Sequence, residues 1–353
     1  MGTRFIRLKK SADATFGHRA SITRKLAETI FAQFDVHNGF MGDLVGRPDY
    51  WSAVGRCKGK DVVPEEEFEF FCQHPRWAQV WRYEKAWDLP KSSQGHRAPC
   101  SVYMHHSKSR NLTFYLISAS ETEDWLPWLL QRIGVDGNHA GASREVLEAL
   151  TSSPFMMHAV ISTIAFEQSI EYVANVRERL MSQIKQVNDY SEQGSSSAPR
   201  TARARSGMED RIMLESITKQ LHLVSQTADT GIANSHASIK IAERMLEAHS
   251  MFMMTKERQK GVKGPAAVIV SDTHTALQYV RNSFYCQKDL LTTYKARKDT
   301  AMNFVFNMVT QQDSATNVDI SYKMSQDSSS MNAVTVLTLI FLPGTFLSAN
   351  CFL

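Results

Sequence analysis

The longest run without a helix-breaking residue lies near the C-terminus and determines much of the architecture. Neither proline nor glycine occurs from Ala266 to Leu342. A single helix over this run would be roughly 115 Å long at 1.5 Å per residue. Its apolar residues recur at steps of three and four, as in the heptad seam of a coiled coil. We therefore predict one long stalk helix whose first half packs against other helices. The seam consists of Leu277, Val280, Phe284, Gln287, Leu291, Tyr294, Lys298, Ala301, Val305 and Met308.

An uncharged apolar segment continues this helix to the end of the chain. No charged side chain follows Asp327, and the last 21 residues read AVTVLTLIFLPGTFLSANCFL. A helix of that length measures roughly 31 Å, which matches the hydrocarbon core of a bilayer. All lysines and arginines precede the segment, and no apolar run of the signal-peptide type follows the basic N-terminus. The sequence predicts one transmembrane helix at 331–353, membrane lipid as a partner, and a cytoplasmic N-terminal body.

Two further helical patterns precede the stalk. Apolar residues from Phe166 to Val187 form one stripe, and those from Leu214 to Met253 form another. Gly231 is a weak point of the second stripe, because glycine costs about 1 kcal/mol relative to alanine inside a helix. Residues 193–207 are rich in Ser, Gly, Ala and Pro and are predicted as a flexible linker between the two helices. Residues 141–330 are therefore predicted as a region of long antiparallel helices and stalk.

Residues 1–140 have a mixed pattern that predicts a separate soluble domain. A helix is expected over Ala20 to Phe34, with Ser21 as its cap. Strands are expected over Ser101 to His105 and over Leu112 to Ser118, joined as a hairpin. The predicted fold class is an α+β or α/β N-terminal domain followed by long helices, so that the chain is mostly α overall.

Charge, cysteine content and motifs exclude several classes of protein. The formal net charge is only +4, and basic residues are not concentrated with aromatics, so nucleic acid is not an expected partner. The five cysteines are odd in number and include no CxxC pair, which indicates reduced thiols rather than a disulfide framework. No phosphate loop, GxSxG, HExxH or dinucleotide fingerprint occurs. We expect neither enzymatic activity nor a cofactor.

Two groups of residues in the N-terminal part invite a metal-site interpretation. Cys100, His105 and His106 lie on or near one predicted strand, but no second ligand pair stands at zinc-site spacing. A zinc site is therefore not predicted there. Glu65 to Glu67 could form an acidic metal patch, but their pattern favours the charged start of a helix.

The hexapeptide FLPGTF lies inside the predicted transmembrane helix, from Phe341 to Phe346. It fits the Phe-x-Pro-x-Thr-Phe pattern in the first transmembrane helix of the CorA-type magnesium transporters, through Phe341, Pro343, Thr345 and Phe346. The preceding polar run is similar to the end of the stalk in that family, and FYLIS at Phe114 to Ser118 is similar to part of its soluble domain. In layout, the chain resembles a divergent eukaryotic CorA-like protein up to the first span.

The resemblance implies a transporter subunit for Mg²⁺ or another divalent cation that assembles as a homopentamer. In that family the first spans line the pore, and a Gly-Met-Asn motif at the outer end of the span meets the hydrated ion. Counting on from Phe346, the Gly and Met positions fall on Phe352 and Leu353, and the Asn position lies beyond them. We therefore expect a fragment, truncated within or just after the first span, that does not conduct Mg²⁺ alone.

Hydroxyl and carboxylate groups near the predicted span are candidates for contact with a cation. Mg²⁺ takes oxygen ligands and gives up its water reluctantly. The hydroxyls of the span equally suit hydrogen bonds to their own helix backbone or to a neighbouring helix. Carboxylates that precede the span either focus cations toward a pore or belong to a solvated stalk face. The possible pore-lining residues are Thr335, Thr338, Thr345 and Ser348, and the carboxylates are Asp313, Asp319 and Asp327.

A different class of protein is compatible with the same patterns. A tail-anchored helical scaffold or regulatory protein would use the apolar segment only as an anchor and its stripes to bind partner helices. The number of subunits distinguishes the two, because the transporter requires five copies and the scaffold one or two. A gene-model fragment without a function of its own is a third interpretation.

Overall fold

A mixed β-sheet and three long helices make up most of the described structure. The computed structural model describes residues 2–13, 17–45, 53–60, 63–75, 77, 100–110, 112–120, 129, 150, 153–194, 200–257 and 265–351. The strands are β1 (Gly2–Asp13), β2 (Gly17–Ala20), β3 (Val54–Lys60), β4 (Val63–His74), β5 (Cys100–Ser107) and β6 (Leu112–Ser120). The helices are α1 (Arg24–Gln33), α2 (Phe40–Val45), α3 (Met156–Gly194), α4 (Arg200–Glu257) and α5 (Pro265–Cys351). The described part of the chain is therefore mostly helical, as predicted.

The strands form one sheet in the order β2-β1-β6-β5-β4-β3. Strand β1 pairs with β6 in parallel, and the other neighbours are antiparallel. The predicted hairpin of β5 and β6 is confirmed, with Ser107 opposite Leu112 next to the connection. Both strands extend a few residues beyond the predicted ranges.

Strand β4 corrects the prediction that Glu65 to Glu67 start a helix. All three glutamates lie in this strand. Side chains of successive strand residues point to opposite faces of a sheet. Phe68 and Phe70 accordingly enter one core cluster and Phe71 enters the other. Because both faces of β4 are covered, burial of the aromatic residues outweighs the helix preference of the glutamates.

Helix α1 begins later than predicted and has a different cap. Its N-cap is Thr23, whose hydroxyl oxygen accepts a hydrogen bond from the Leu26 N–H at 3.3 Å. The predicted cap, Ser21, instead accepts a hydrogen bond from the Lys9 N–H at 2.9 Å and so fixes the chain to β1. Residues 20–22 are therefore connected to the sheet rather than to the helix.

Each face of the sheet supports its own hydrophobic core. On one face, Phe71 and Tyr103 pack with Ile30 and Phe40 of the two short helices. On the other face, the sheet packs against the three long helices. This second cluster includes Met157, Ala159 and Ile161 of α3, Ile241, Met245, Leu246 and Ala248 of α4, and Leu277 of α5.

The chain divides into two compact units, and the predicted domain boundary near residue 140 stays a prediction. One unit contains Met1–Arg179 and Val224–Lys295, and the other contains Leu180–Leu223 and Ala296–Leu353. The first unit therefore holds the whole sheet together with parts of all three long helices. The buried apolar residues of the second unit also come from α3, α4 and α5. They are Leu180, Val187, Leu214, Ile217, Leu221, Ala301, Met302 and Val305.

Helix α5 contains the predicted seam. Every seam residue from Leu277 to Val305 is buried, and Met308 is half-buried. The helix continues without interruption for 87 residues, to Cys351. Among the described residues, no helix has an apolar stretch of the length and hydropathy that a membrane crossing requires. The predicted span at 331–353 includes side chains from Ile340 onward that lie outside the described residues.

The predicted linker at 193–207 is longer than the connection between helices. Helix α3 extends to Gly194, and helix α4 already begins at Arg200. Alanine and arginine are strong helix formers, and they alternate from Arg200 to Arg205 around Thr201. Their preference outweighs the single glycine at position 207. Residues 195–199 lie outside the described residues.

Candidate functional site

The residues of the FLPGTF motif lie on the backbone of α5. The helix passes through Phe341, Pro343, Thr345 and Phe346, and through the candidate pore-lining residue Ser348. Their side chains lie outside the described residues. The motif therefore has a helical setting, and its contacts stay a prediction.

The other two candidate pore-lining residues are exposed and bonded to their own helix. The Thr335 hydroxyl donates to the Met331 carbonyl at 2.8 Å, and the Thr338 hydroxyl donates to the Val334 carbonyl at 2.8 Å. This is the backbone bonding that the sequence left open as an alternative. A hydroxyl that donates in this way keeps its acceptor lone pairs, so these residues can still accept a hydrogen bond from free water or from water bound to a cation.

From Thr310 to Leu339 helix α5 is exposed almost throughout. Large apolar side chains stand among polar ones on this segment, which carries three aspartates and one lysine. Asp319 pairs with Lys323 at 2.9 Å, one turn further along the helix. The exposed apolar residues are Val318, Ile320, Tyr322, Met324, Met331, Val334, Val336, Leu337 and Leu339.

A second candidate site lies between β4 and the start of α3. Cys72 and His74 are two residues apart on β4, so both side chains point toward α3. The Cys72 Sγ atom lies 3.5 Å from His74 Nε2 and 3.7 Å from His158 Nδ1. One potential ligand atom from each of the three residues lies within 4.8 Å of the other two. The exposed fractions are 0% for Cys72, 4% for His74 and 0% for His158.

The start of α3 is fixed to the sheet by contacts that place His158. The Tyr115 hydroxyl donates to the Pro154 carbonyl at 2.5 Å. The ring of Phe155 packs against Phe68 and Phe70, with centroids 5.6 and 5.3 Å apart. His158 lies less than one turn beyond Phe155. The planes of its ring and the Phe70 ring are perpendicular, and the two ring centroids are 4.9 Å apart. These contacts hold the imidazole opposite β4.

Burial keeps the three side chains of this cluster neutral. It lowers the pKa of His74 to about 4 and lowers the pKa of His158 well below its usual value. Burial also raises the pKa of the Cys72 thiol, with smaller contributions from the charges of Asp43 and Cys100. The Nε2 atom of His158 has no hydrogen-bond partner among the described residues. At neutral pH both imidazoles therefore have a lone pair available for a metal ion.

The structure does not bring together Cys100, His105 and His106, the residues that were weighed as a zinc site. His105 Nδ1 lies 3.1 Å from the Phe34 carbonyl oxygen, on the other side of the sheet from Cys100. His106 Nδ1 lies 2.9 Å from the Thr113 hydroxyl. His106 follows Cys100 by six positions along the strand, about 20 Å at 3.3 Å per residue. Cys100 instead stands directly opposite His74 in the β4–β5 pair.

Sequence reasoning missed the cluster of Cys72, His74 and His158. A weak local signal existed, because a Cys-x-His triplet in a strand places both ligands on one face. The third residue follows 84 positions after His74 and has no recognisable spacing. Only the packing of α3 on the sheet brings it near.

Comparison with known proteins identifies a similar solved structure but no similar sequence. No family model matches the chain, and no curated protein is similar to it in sequence. Among solved structures, it is similar to the cytoplasmic domain of ZntB from Vibrio parahaemolyticus, with 7% identity and a TM-score of 0.39. The match covers 86% of this chain and 98% of that domain. A likeness with a TM-score below 0.5 does not establish a common fold.

Proposed function

We propose that the chain is a subunit of a CorA-like transporter for Mg²⁺ or another divalent cation. The observation that carries the proposal is helix α5, which runs unbroken from Pro265 to Cys351 and includes the FLPGTF motif. Its N-terminal part belongs to a unit with a mixed sheet, which agrees with the layout that the resemblance implies. The exposed segment of α5 before the motif then corresponds to the end of the stalk.

One face of this exposed segment combines oxygen-bearing side chains with apolar ones, among them Ile320, four residues before Met324. Residues of a helix lie on the same face when they are separated by whole numbers of turns of about 3.6 residues. Asp313 precedes Met324 by about three turns, and Met331 follows Met324 by about two turns. Thr335 and Thr338 follow Met331 at steps of four and seven residues, so they share this face. We call this face, defined by Asp313, Met324, Met331, Thr335 and Thr338, the polar seam.

In a bundle of identical helices the polar seam would face the axis. Each Asp313 would then form part of a ring of carboxylates, and each Thr338 part of a ring of hydroxyls. Such oxygen atoms suit a divalent cation that keeps much of its water. Asp327 borders the seam, about 60° from Met324, whereas Asp319 lies about 140° away and pairs with Lys323. Of the two alternatives for the aspartates, cation attraction therefore suits Asp313 and Asp327, and the solvated face suits Asp319.

The first test is the mass and membrane attachment of the full chain. Size-exclusion chromatography with light scattering in detergent should give five copies. Monomers or dimers would contradict the transporter proposal and favour the tail-anchored scaffold. Membranes from expressing cells should retain the chain after carbonate extraction, and release into the soluble fraction would contradict both proposals.

Cross-linking tests the orientation of the polar seam. In a chain that carries Cys286→Ser, because Cys286 is exposed, a cysteine is introduced by Asp327→Cys or by the control Asp319→Cys. Oxidation should link copies through position 327, which lies near the bundle axis in this proposal. Position 319 should stay unlinked. Equal linking at both positions would contradict the proposed orientation.

A further inference from the structure

We propose that Cys72, His74 and His158 bind a Zn²⁺ ion in the layer between the sheet and α3, with Cys100 as the fourth ligand. The site would be structural, joining β4, β5 and the first turns of α3. It does not depend on the proposed transport function, because all four residues lie in the unit that contains the sheet.

The two observed sulfur–nitrogen distances match an edge of a tetrahedral zinc site. With Zn–S bonds of about 2.3 Å and Zn–N bonds of about 2.0–2.1 Å, the sulfur-to-nitrogen edge of a tetrahedron is about 3.6 Å. The two sulfur–nitrogen distances in the cluster are 3.5 and 3.7 Å. An ion could therefore bind between Cys72 and the two imidazoles, whose ligand atoms all lie within 4.8 Å of one another.

Cys100 is the candidate for the fourth ligand. In the part of the chain that the structure describes, only Cys72, His74 and His158 have ligand atoms within 4.8 Å of one another, so the Cys100 side chain would have to turn toward the ion. Cys100 pairs with His74 across β4 and β5, and directly opposed residues on one face have Cβ atoms about 4.5–5.5 Å apart. Cys72 and Cys100 also belong to the same core cluster. The charge of Cys100 contributes to the raised pKa of the Cys72 thiol, as expected of neighbouring sulfur atoms.

Charge balance also favours a fourth ligand from a cysteine. A buried ion with an uncompensated charge is costly in a dry interior. Two thiolates neutralise the double charge of Zn²⁺, whereas one thiolate and two imidazoles leave a net charge of +1. The Cys₂His₂ set is a closed structural set with no open position, which agrees with the burial of all four residues.

The donor atoms determine which ions fit. Thiolates and imidazoles suit Zn²⁺ and related transition metals, whereas Mg²⁺ and Ca²⁺ take oxygen ligands. The site would therefore bind an ion chemically different from a transported Mg²⁺. It would also require loss of the thiol protons, so zinc binding should release protons and weaken as the pH falls.

Metal analysis of the purified full chain tests the proposal. Plasma mass spectrometry should find one zinc per chain, and the chain loaded with Co²⁺ should show thiolate-to-cobalt charge-transfer absorption. The variants Cys72→Ser and His158→Gln should lose most of the zinc, whereas Cys57→Ala should keep it. Cys57 is a suitable control, because it is a half-buried cysteine of β3 outside the cluster.

The cobalt spectrum keeps the proposal testable if variants fail to fold. Wild-type protein that is folded by circular dichroism, lacks zinc and shows no charge-transfer band would overturn the proposal. Cys100→Ser should reduce the band to about half, because one of the two thiolates is lost. An unchanged band in that variant would remove Cys100 from the ligand set. Equal zinc loss from Cys57→Ala and Cys72→Ser would show that the metal binds elsewhere.

Discussion

At the scale of single residues, the buried carboxylate of Glu69 in β4 depends on its polar partners for stability. Its side chain is completely buried, pairs with the Arg56 guanidinium and accepts a hydrogen bond from the Tyr103 hydroxyl at 2.8 Å. A buried carboxylate without such partners would be strongly destabilising. Sequence patterns do not predict this arrangement, because Arg56 and Tyr103 belong to two strands on opposite sides of β4.

Tyr103→Phe should lower the free energy of unfolding by about 1.5–3 kcal/mol. The change removes a hydrogen bond to a charged group and leaves one carboxylate oxygen of Glu69 with one partner fewer. Urea unfolding followed by circular dichroism measures the loss. The control is Tyr285→Phe, since the Tyr285 hydroxyl donates to Glu243 in the same way, at 2.7 Å, but on the surface. Equal effects of the two variants would contradict the importance of burial.

His74 couples stability to pH in the metal-free protein. Its pKa in the folded chain is about 4, below the usual 6.5, because burial disfavours the charged ring. Below pH 6.5 the unfolded chain binds a proton that the folded chain does not bind until about pH 4. Stability is therefore complete above pH 6.5 and falls by up to about 3 kcal/mol as the pH drops to 4. The pKa of His158 is lowered too, so it acts in the same direction.

Urea unfolding of chelator-treated protein at several pH values between 4 and 7 checks this dependence. His74→Gln should make stability less dependent on pH over that range. His222→Gln is the control, because His222 is exposed on α4. A wild-type stability that stays constant down to pH 4 would contradict the prediction.

At the scale of elements, Gly231 shows that a residue unfavourable to a helix can be required by packing. A Cβ atom at this position of α4 would lie 2.8 Å from Leu291 Cδ1 of α5 and 2.8 Å from Tyr172 Cε1 of α3. Tyr172 is also held by its hydroxyl, which donates to the Thr227 carbonyl at 2.6 Å. The sequence alone marked Gly231 only as a weak point of the helix.

Gly231→Ala should destabilise the protein by about 1–3 kcal/mol, because overpacking against a fixed ring outweighs the gain in helix preference. Thermal unfolding by calorimetry or circular dichroism measures the change. Thr230→Ala, at the exposed neighbouring position, should leave stability unchanged or raise it slightly. A stabilised Gly231→Ala variant would show that the helices move apart without cost.

The elements differ in how well the sequence predicts them, and the reason is physical. The seam of α5 and the hairpin of β5 and β6 follow from periodicity, because one side of each element is buried and the spacing records it. Strand β4 has both faces covered and therefore lacks an alternating pattern. Strand β1 was not predicted, because basic residues interrupt the apolar pattern around Phe5 and Leu8. The cluster of Cys72, His74 and His158 could not be predicted, because only the tertiary packing brings His158 to Cys72.

At the scale of the whole molecule, the unusual feature is the exposed apolar surface of α5. Met324 is 68% exposed and Val318 is 70% exposed, although both are large apolar side chains. Polar and apolar side chains are interspersed on this segment of α5. Packing within one chain leaves the apolar ones exposed and so does not explain why they are there. Assembly of several copies through one face of the helix would bury that face and leave the rest in solvent.

Met324→Lys should therefore reduce the number of copies in the assembly, and Val318→Lys should not. Met324 belongs to the polar seam, and in the proposed pentamer five buried ammonium groups near one axis would repel the copies from one another. Val318 lies about 120° around the helix and would face solvent. The pair is matched in exposure, and each lysine adds the same charge to a helix that tolerates it well. Light scattering in detergent, with circular dichroism to verify folding, measures the result. If both variants assemble like the wild type, the polar seam does not face other copies; if both dissociate, assembly does not depend on one face of α5.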